Sequence, residues 1–210
     1  MLRMDSYILR DGVLYGGGFL VAGAAVGALL DPWWGAPLYL LAAFCLYFFR
    51  NPERVIPDGP VAVCPADGKV VQILSLEDGK RRVSIFLNIF DVHVNRSPIS
   101  GSIVEQQYRP GRFHMAQKEA ASLENEQNTI TIENAETRVV VKQIAGLIAR
   151  RIVCNKGVGD KLKKGERFGL IKFGSRTDTF LGPEWVLAVQ VGDRVRGGSS
   201  ILARLEKQQA

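Results

Sequence analysis

Residues 70–90, VVQILSLEDGKRRVSIFLNIF, determine the fold class of the larger part of the chain. Two apolar runs, 70–76 and 82–90, lie on either side of a turn that contains Asp78-Gly79. An Asp-Gly pair between two such runs is a strong signal for a β-hairpin. We therefore predict two antiparallel strands here.

The sequence from residue 61 onward has the same character. A second hairpin is predicted from the runs 129–132 and 138–144, which flank the polar stretch 133–136. Residues 115–126 are rich in Ala, Glu, Lys and Leu and form the best helix candidate. We expect a β-sandwich or compact barrel with one or two short helices.

An internal repeat supports a β-rich fold. Residues 158–165 read VGDKLKKG, and residues 191–198 read VGDRVRGG. Each copy has a Gly-Asp turn, an apolar residue between charged residues, and a glycine turn. The pattern resembles the hammerhead units of biotinyl- and lipoyl-like β-sandwiches. Two similar but unrelated β-turns are the alternative.

The first 54 residues differ in composition from the rest. Residues 13–30 and 38–49 are uncharged and apolar, and the DPWWGAP stretch between them suits a turn at a lipid headgroup layer. We predict an N-terminal transmembrane helical hairpin in residues 1–54, followed by a β-domain in residues 55–210. Basic residues on both sides of the hairpin place both of its ends in the cytoplasm. A soluble helical hairpin and a cleaved signal peptide are the alternatives.

Charge and cysteine content narrow the function classes. The chain has 27 basic and 21 acidic residues, and the whole excess lies beyond residue 54. Such a domain suits nucleic acid, an anionic membrane surface or an acidic substrate, and a membrane anchor favours the second. Three cysteines without a close pair indicate no disulfide framework, and two histidines are too few to predict a metal site. No phosphate-binding glycine loop for a nucleotide is present.

Three residues lie in unusual local settings. Asp67 is in the turn CPADGK, His93 follows the apolar run FLNIF, and Ser175 follows a glycine in KFGSRTD. A glycine inside a strand-like run indicates a bulge or a close backbone approach. Each residue taken alone is more often structural than catalytic.

The three sites and the membrane segment together resemble one family. The chain is similar to phosphatidylserine decarboxylase proenzymes of the short, archaeal-type branch over nearly its whole length. The matching stretches are FFRNPER (48–54), PADG (65–68), DVHVNR (91–96), ENEQN (124–128), GLIARRI (146–152), GERFG (165–169) and FGSR (173–176).

The resemblance implies a cofactor made from the chain itself. Ser175 Oγ attacks the Gly174 carbonyl to give an ester, and β-elimination and hydrolysis then leave a pyruvoyl group at position 175. The products are a β chain, 1–174, and an α chain, 175–210, which form a heterodimer. The pyruvoyl group forms a Schiff base with phosphatidylserine and releases CO2 to give phosphatidylethanolamine.

The resemblance also implies the site residues. Asp67 matches an aspartate that assists self-cleavage, and His93 matches the first of two histidines found in the longer branch. Arg96 stands at the position of the second histidine, so the base role falls to His93, while His114 matches no motif.

Substrate-binding residues are not assigned by the resemblance. Arg150, Arg151 and Arg176 are the candidates. The expected partners are a membrane phospholipid and no nucleic acid. The expected location is the cell membrane, with the catalytic domain on the cytoplasmic side. The oligomeric state beyond the heterodimer is open. The alternatives are a non-catalytic, membrane-anchored carrier or adaptor with a hammerhead domain, and a family member that binds anionic lipid without reacting.

Overall fold

The computed structural model describes residues 3–111, 124–146, 151–172 and 175–206. The chain divides into two compact units, Met1–Glu53 and Arg54–Ala210. The roles predicted for the two parts, an anchor and a self-cleaved catalytic domain, remain predictions.

The first unit consists of two helices, α1 (Arg3–Leu29) and α2 (Pro32–Phe48). Asp31 caps α2, because its Oδ1 accepts the N–H of Trp33 at 3.0 Å. Pro32 is the first helical residue, where its fixed φ and missing N–H suit a helix start. The DPWW stretch is therefore where the second helix begins.

Small residues allow the backbones of α1 and α2 to approach closely. A Cβ added at Gly35 would lie 2.6 Å from the carbonyl oxygen of Gly23. The outer surface of the two helices is apolar, and Val21 and Leu40 are 72% and 73% exposed. Such exposed apolar side chains are typical of a surface that faces lipid or a partner.

One described helical stretch, Arg10–Leu29, is long and apolar enough to cross a membrane by length and composition. The second helix is shorter, with 17 residues. The transmembrane hairpin therefore remains a prediction beyond this first stretch.

The second unit is β-rich. Its described strands are β1 (Val61–Val63), β2 (Gly68–Ser75), β3 (Arg81–Leu87), β4 (Val94–Arg96), β5 (Gly101–Arg109), β6 (Gln127–Glu133), β7 (Arg138–Ala145), β8 (Ile152–Cys154), β9 (Lys161–Leu162), β10 (Arg167–Ile171), β11 (Ser175–Leu181), β12 (Trp185–Leu187), β13 (Arg194–Val195) and β14 (Ile201–Leu205). Eight of them form a curled sheet in the order β13-β2-β3-β11-β7-β6-β5-β9. Two three-stranded sheets have the orders β1-β14-β12 and β4-β10-β8.

Both predicted hairpins are confirmed. β2 pairs with β3 and β6 pairs with β7, both antiparallel. The second turn is closed by Asn134, whose Oδ1 accepts the N–H groups of Glu136 and Thr137 at 2.9 and 3.0 Å. The predicted helix 115–126 lies almost wholly outside the described residues.

The two copies of the sequence repeat have the same backbone pattern. The N–H of Gly192 donates to Val70 O at 2.8 Å, and the N–H of Gly159 donates to Ile103 O at 2.8 Å. Gly159 and Gly192 both have a positive φ, 93° and 105°. The copies thus lie at the two edges of the large sheet, where they form β9 and β13. Their likeness to biotinyl and lipoyl hammerheads remains a prediction.

The repeat extends to the whole second unit. The N–H of Val63 donates to Pro98 O at 2.9 Å, and the N–H of Arg96 donates to Pro65 O at 2.8 Å. The two donors are 33 residues apart in the sequence, and so are the two acceptors. Irregularities in β2 and β5 also fall at matching positions. The strands β1–β3 and β11–β14 therefore correspond to β4–β10, related by an internal pseudo-two-fold axis.

This symmetry has one consequence for Ser175. In the second half of the repeat, β6 leads directly to β7 through the turn at Asn134. The corresponding strands of the first half, β3 and β11, are separated in sequence by residues 88–174. Ser175, the first residue of β11, is paired with Leu87, the last residue of β3. Ser175 therefore lies at the position where the β6–β7 hairpin of the other half has its turn.

The hydrophobic core lies on one face of the large sheet. Alternate residues of the central strands, such as Val83, Ile85, Val139 and Val141, are fully buried there. Burying each such side chain contributes roughly 1.5–3 kcal/mol. A rigid core therefore supports the strand that begins with Ser175.

Candidate active site

The three predicted residues lie at the same end of the large sheet. Asp67 precedes β2, His93 follows β3, and Ser175 begins β11. Because neighbouring strands are antiparallel, the start of β2, the end of β3 and the start of β11 meet at one end.

Ser175 is fully buried between two neighbouring strands. It is paired with Leu87 on β3 and with Ala145 on β7. Its Oγ is buried and has no hydrogen-bond partner among the described residues. A buried hydroxyl without a partner is unfavourable, so such a group calls for an explanation. A serine placed this way can act as a nucleophile once a base takes its proton.

His93 is fully buried, and its tautomer is set by a backbone carbonyl. Its Nδ1 lies 2.9 Å from Asp91 O. Because a carbonyl only accepts, Nδ1 carries the proton and Nε2 carries the lone pair of the neutral ring. The ring therefore presents Nε2 as a proton acceptor.

The setting of His93 corrects one expectation. Residues 82–90 were predicted as one strand, but β3 ends at Leu87. Asn88 and Asp91 close a turn there, since Asp91 Oδ2 accepts the N–H of Asn88 at 2.8 Å and Asn88 Oδ1 accepts the N–H of Phe90 at 3.1 Å. His93 therefore lies between this turn and β4, and not at a strand end.

Asp67 is held by an ion pair that sequence reasoning missed. Its Oδ2 lies 2.8 Å from Arg54 Nη2, and its Oδ1 accepts the N–H of Gly197 at 2.8 Å. Arg54 is in the FFRNPER stretch, which is the one sequence signal that pointed to it. These contacts fix the carboxylate at the entrance to β2.

Arg96, at the position of the second histidine of the longer branch, is close enough to Asp67 to interact electrostatically. Burial and, to a smaller extent, the charge of Arg54 lower the pKa of Arg96 to about 10, and Asp67 opposes the shift. The guanidinium is still charged at neutral pH. Arg96 is therefore no substitute for a histidine base.

A chain of four amide side chains, three of them buried, runs to Gln143 and Asn95 on the sheet face of Ser175, and sequence reasoning missed it. Gln106 Nε2 donates to Asn128 Oδ1 at 3.2 Å, Asn128 Nδ2 donates to Gln143 Oε1 at 2.9 Å, and Gln143 Nε2 donates to Asn95 Oδ1 at 2.8 Å. Asn95 is in the DVHVNR stretch and Asn128 is in ENEQN, but nothing in these motifs shows that the side chains meet.

Arg176, a candidate for substrate binding, lies within the fold. Its guanidinium donates to Asp178 Oδ1 at 2.6 Å and to Ser84 Oγ at 2.8 Å. The residue is 1% exposed. Arg151 is exposed, and Arg150 lies outside the described residues.

A cavity of about 380 Å³ opens between the start of β2, the end of β3 and the segment that leads into β13. Its lining residues are Lys69, Val70, Val71, Phe86, Asn88, Asp91, Val191, Gly192 and Arg194. In the sheet, Lys69 and Arg176 flank Phe86. Lys69 therefore lies two strand spacings, roughly 10 Å, from Arg176, on the sheet face opposite to the Ser175 side chain.

The cavity combines positive charge with apolar surface. Lys69 and Arg194 are exposed cations, and Asp91, the one acidic residue of the lining, is 3.7 Å from Arg194 Nη1. Val191 in the lining and the nearby Phe90 are each 59% exposed. The cavity therefore suits an anionic ligand with an apolar part.

The site thus combines a buried serine at one end of the large sheet with a buried histidine and a carboxylate in segments that flank the sheet strands, which are the residue types of nucleophilic chemistry. Comparison with known proteins then identifies the family. The family model "Phosphatidylserine decarboxylase" matches residues 41–203, and this chain belongs to that family.

Two curated relatives support the assignment. The phosphatidylserine decarboxylase proenzyme of Solibacter usitatus is 55% identical over 197 residues, which cover 94% of this chain and 96% of the relative. The phosphatidylserine decarboxylase proenzyme of Magnetococcus marinus is 43% identical over 199 residues, which cover 89% of this chain and 90% of the relative.

Proposed function

We propose that this chain is a phosphatidylserine decarboxylase of the short, archaeal-type branch, made as a proenzyme that cleaves itself between Gly174 and Ser175. The observation that carries the proposal is the buried Ser175 Oγ without a described partner, at the start of a central strand, in a chain of this family. The alternative of a non-catalytic adaptor is not supported, because the relatives are named as decarboxylase proenzymes.

Self-cleavage follows from the chemistry of the side chains. His93 Nε2 takes the hydroxyl proton as Ser175 Oγ adds to the Gly174 carbonyl carbon, and the peptide nitrogen leaves with a proton to give an ester. Removal of the Ser175 Cα proton then breaks the Cβ–O bond and releases the new carboxyl end of Gly174. Hydrolysis of the remaining dehydroalanine gives a pyruvoyl group and ammonia. Asp67 assists as an anion held by Arg54.

The residues around Ser175 fit a pyruvoyl group. Three buried polar atoms here have no described hydrogen-bond partner: Ser175 Oγ, Thr177 Oγ1 and Asn95 Nδ2. Thr177 Oγ1 and Asn95 Nδ2 can donate hydrogen bonds to the carbonyl oxygens of a pyruvoyl group at position 175. When formed, the group supplies an electron sink: its carbonyl condenses with the substrate amine and takes up the electron pair that CO2 leaves behind.

A membrane location fits the substrate. The first unit has an apolar outer surface, and Arg10–Leu29 is long enough to cross a bilayer. Basic residues at both ends of the unit, Arg3 and Arg50 among them, favour a cytoplasmic position for the catalytic unit. The enzyme would then meet its phospholipid at the bilayer surface and act as a heterodimer of its two chains.

The first test is the covalent state of the purified protein. We expect intact mass spectrometry to show two chains, 1–174 and 175–210, the second with a pyruvoyl group and no free amino terminus. The same material should convert phosphatidylserine vesicles to phosphatidylethanolamine. A single intact chain in material that has this activity would contradict the proposal.

The cavity lined by Lys69 and Arg194 is the proposed site for the lipid headgroup. Replacing both Lys69 and Arg194 with glutamine should raise KM for phosphatidylserine in mixed vesicles about 30-fold, since each cation near a membrane surface contributes about 1 kcal/mol. The effect should shrink at high salt, while kcat and self-cleavage stay unchanged. Steady-state kinetics at two ionic strengths measure this.

The matched control for the cavity is Lys80→Gln. Lys80 is exposed in the turn between β2 and β3, at the other end of the strands, where it pairs with Asp78. It should leave KM unchanged. An unchanged KM in the double variant, or an equal rise in the control, would remove the cavity from the lipid site.

A further inference from the structure

All hydrogen bonds of the buried amide chain run in the same direction. Each side-chain NH2 donates to the carbonyl oxygen of the next residue, from Gln106 through Asn128 and Gln143 to Asn95. Hydrogen bonds in such a chain polarise one another, so the last NH2 group is the strongest donor. That group is Asn95 Nδ2.

The end of this chain is a buried donor without a described partner. Asn95 is 0% exposed, and its Nδ2 has no hydrogen-bond partner among the described residues. An unpaired buried donor costs about 1–3 kcal/mol. Its Oδ1 is fixed by Gln143, so the side chain is not free to turn its NH2 group toward another partner. The fold thus keeps an unsatisfied donor in one orientation.

The chain of amides lies on the same face of the sheet as Ser175. Gln143 is paired directly with Thr177, and Ser175 is paired with Ala145. Directly paired residues share a face, and alternate residues of one strand share a face. The Gln143 side chain, which holds Asn95, is therefore a diagonal neighbour of Ser175.

We propose that Asn95 Nδ2 is the oxyanion donor of self-cleavage, an inference that rests on the proposed function. As Ser175 Oγ adds to the Gly174 carbonyl carbon, the π electron pair moves to the carbonyl oxygen and the hydroxyl proton goes to His93. Asn95 donates a hydrogen bond to this oxyanion and stays protonated throughout. When the carbonyl re-forms and the C–N bond breaks, the hydrogen bond weakens again. Gln143 is the positioning residue that aims the donor.

The main test uses two variants that remove the donor in different ways. Asn95→Asp keeps an acceptor for Gln143, and Asn95→Leu keeps the shape without charge. Both should slow the conversion of newly made chain into two fragments about 100-fold or more, the usual effect of losing one oxyanion donor. Gln143→Glu, which ends the donation to Asn95 Oδ1, should slow it by a smaller factor. Pulse-chase electrophoresis and intact mass give the rates.

The matched control is Asn134→Asp. Asn134 lies in the turn between β6 and β7, and its Oδ1, which caps that turn, is retained as a carboxylate oxygen. This variant should process at the wild-type rate. All variants are also made with Ser175→Ala, so that thermal unfolding is compared on the same uncleaved chain.

Hydroxylamine separates the donor role from a later step. It splits the chain at an accumulated ester, so it should fail to split the Asn95 variants, in which ester formation itself is slow. The proposal is overturned if hydroxylamine rapidly splits the Asn95 variants or if these variants are processed at the wild-type rate. It is also overturned if processing is slow only in those variants whose Ser175→Ala form is unfolded. If the wild-type chain itself is not cleaved, the proposed function fails and not only the role of Asn95.

Discussion

Replacing Ser175 with alanine is expected to leave a single intact chain of 23.1 kDa with no decarboxylase activity. Alanine has no oxygen to attack the Gly174 carbonyl, and no ester, no elimination and no ketone can follow. The change removes one atom that is buried and has no described partner, so folding should be unaffected. Intact mass spectrometry and the release of CO2 from carboxyl-labelled phosphatidylserine measure the two losses.

The control is Thr179→Val, which removes another hydroxyl from the same face of β11. Thr179 Oγ1 is also buried without a described partner. This variant should be cleaved normally and be at least as stable as the wild type. If the Ser175→Ala chain still yielded a fragment that begins at residue 175, another group would have to cut the backbone, and the proposed chemistry would be wrong.

The second large effect is expected at His93. Asparagine at this position keeps a donor for the Asp91 carbonyl, in place of Nδ1, but has nothing in place of Nε2. Cleavage should slow by about 10²–10⁴-fold, the usual contribution of a general base. The rate of fragment formation in freshly made chain is the measurement.

The control for His93→Asn is the same substitution at the other histidine. His114→Asn makes the same chemical change at the other histidine of the sequence, which matches no family motif, and should leave the rate unchanged. Normal cleavage of the His93→Asn variant would assign the proton transfer to another group and leave Ser175 as the nucleophile.

The parts of the fold that depend on neighbouring residues could be predicted from the sequence. Asp78-Gly79 marks the first hairpin because the turn needs those residue types, and the structure has β2 and β3 on either side of it. The end of β3 was missed because Asn88 and Asp91 stop the strand with side-chain hydrogen bonds, while the apolar run continues past them.

The parts that depend on distant residues could not be predicted. Nothing near Ser175 shows that β11 lies between β3 and β7, since that position follows from pairing with residues far away in the chain. The amide chain and the Arg54–Asp67 ion pair have the same origin. The sequence motifs pointed to Asp67 and His93, but contacts with residues far away in the chain determine what these side chains bind.

The position of β11 has a consequence for the mature enzyme. A break in front of Ser175, with loss of its nitrogen as ammonia, would leave in place the backbone pairing of the rest of β11 with β3 and β7. The new chain end would be held by a paired strand on each side, so a ketone there would have little conformational freedom and little contact with water. The proposed cleavage would thus leave the electrophile fixed in the interior of the sheet, whereas cleavage in a surface loop would leave a mobile chain end.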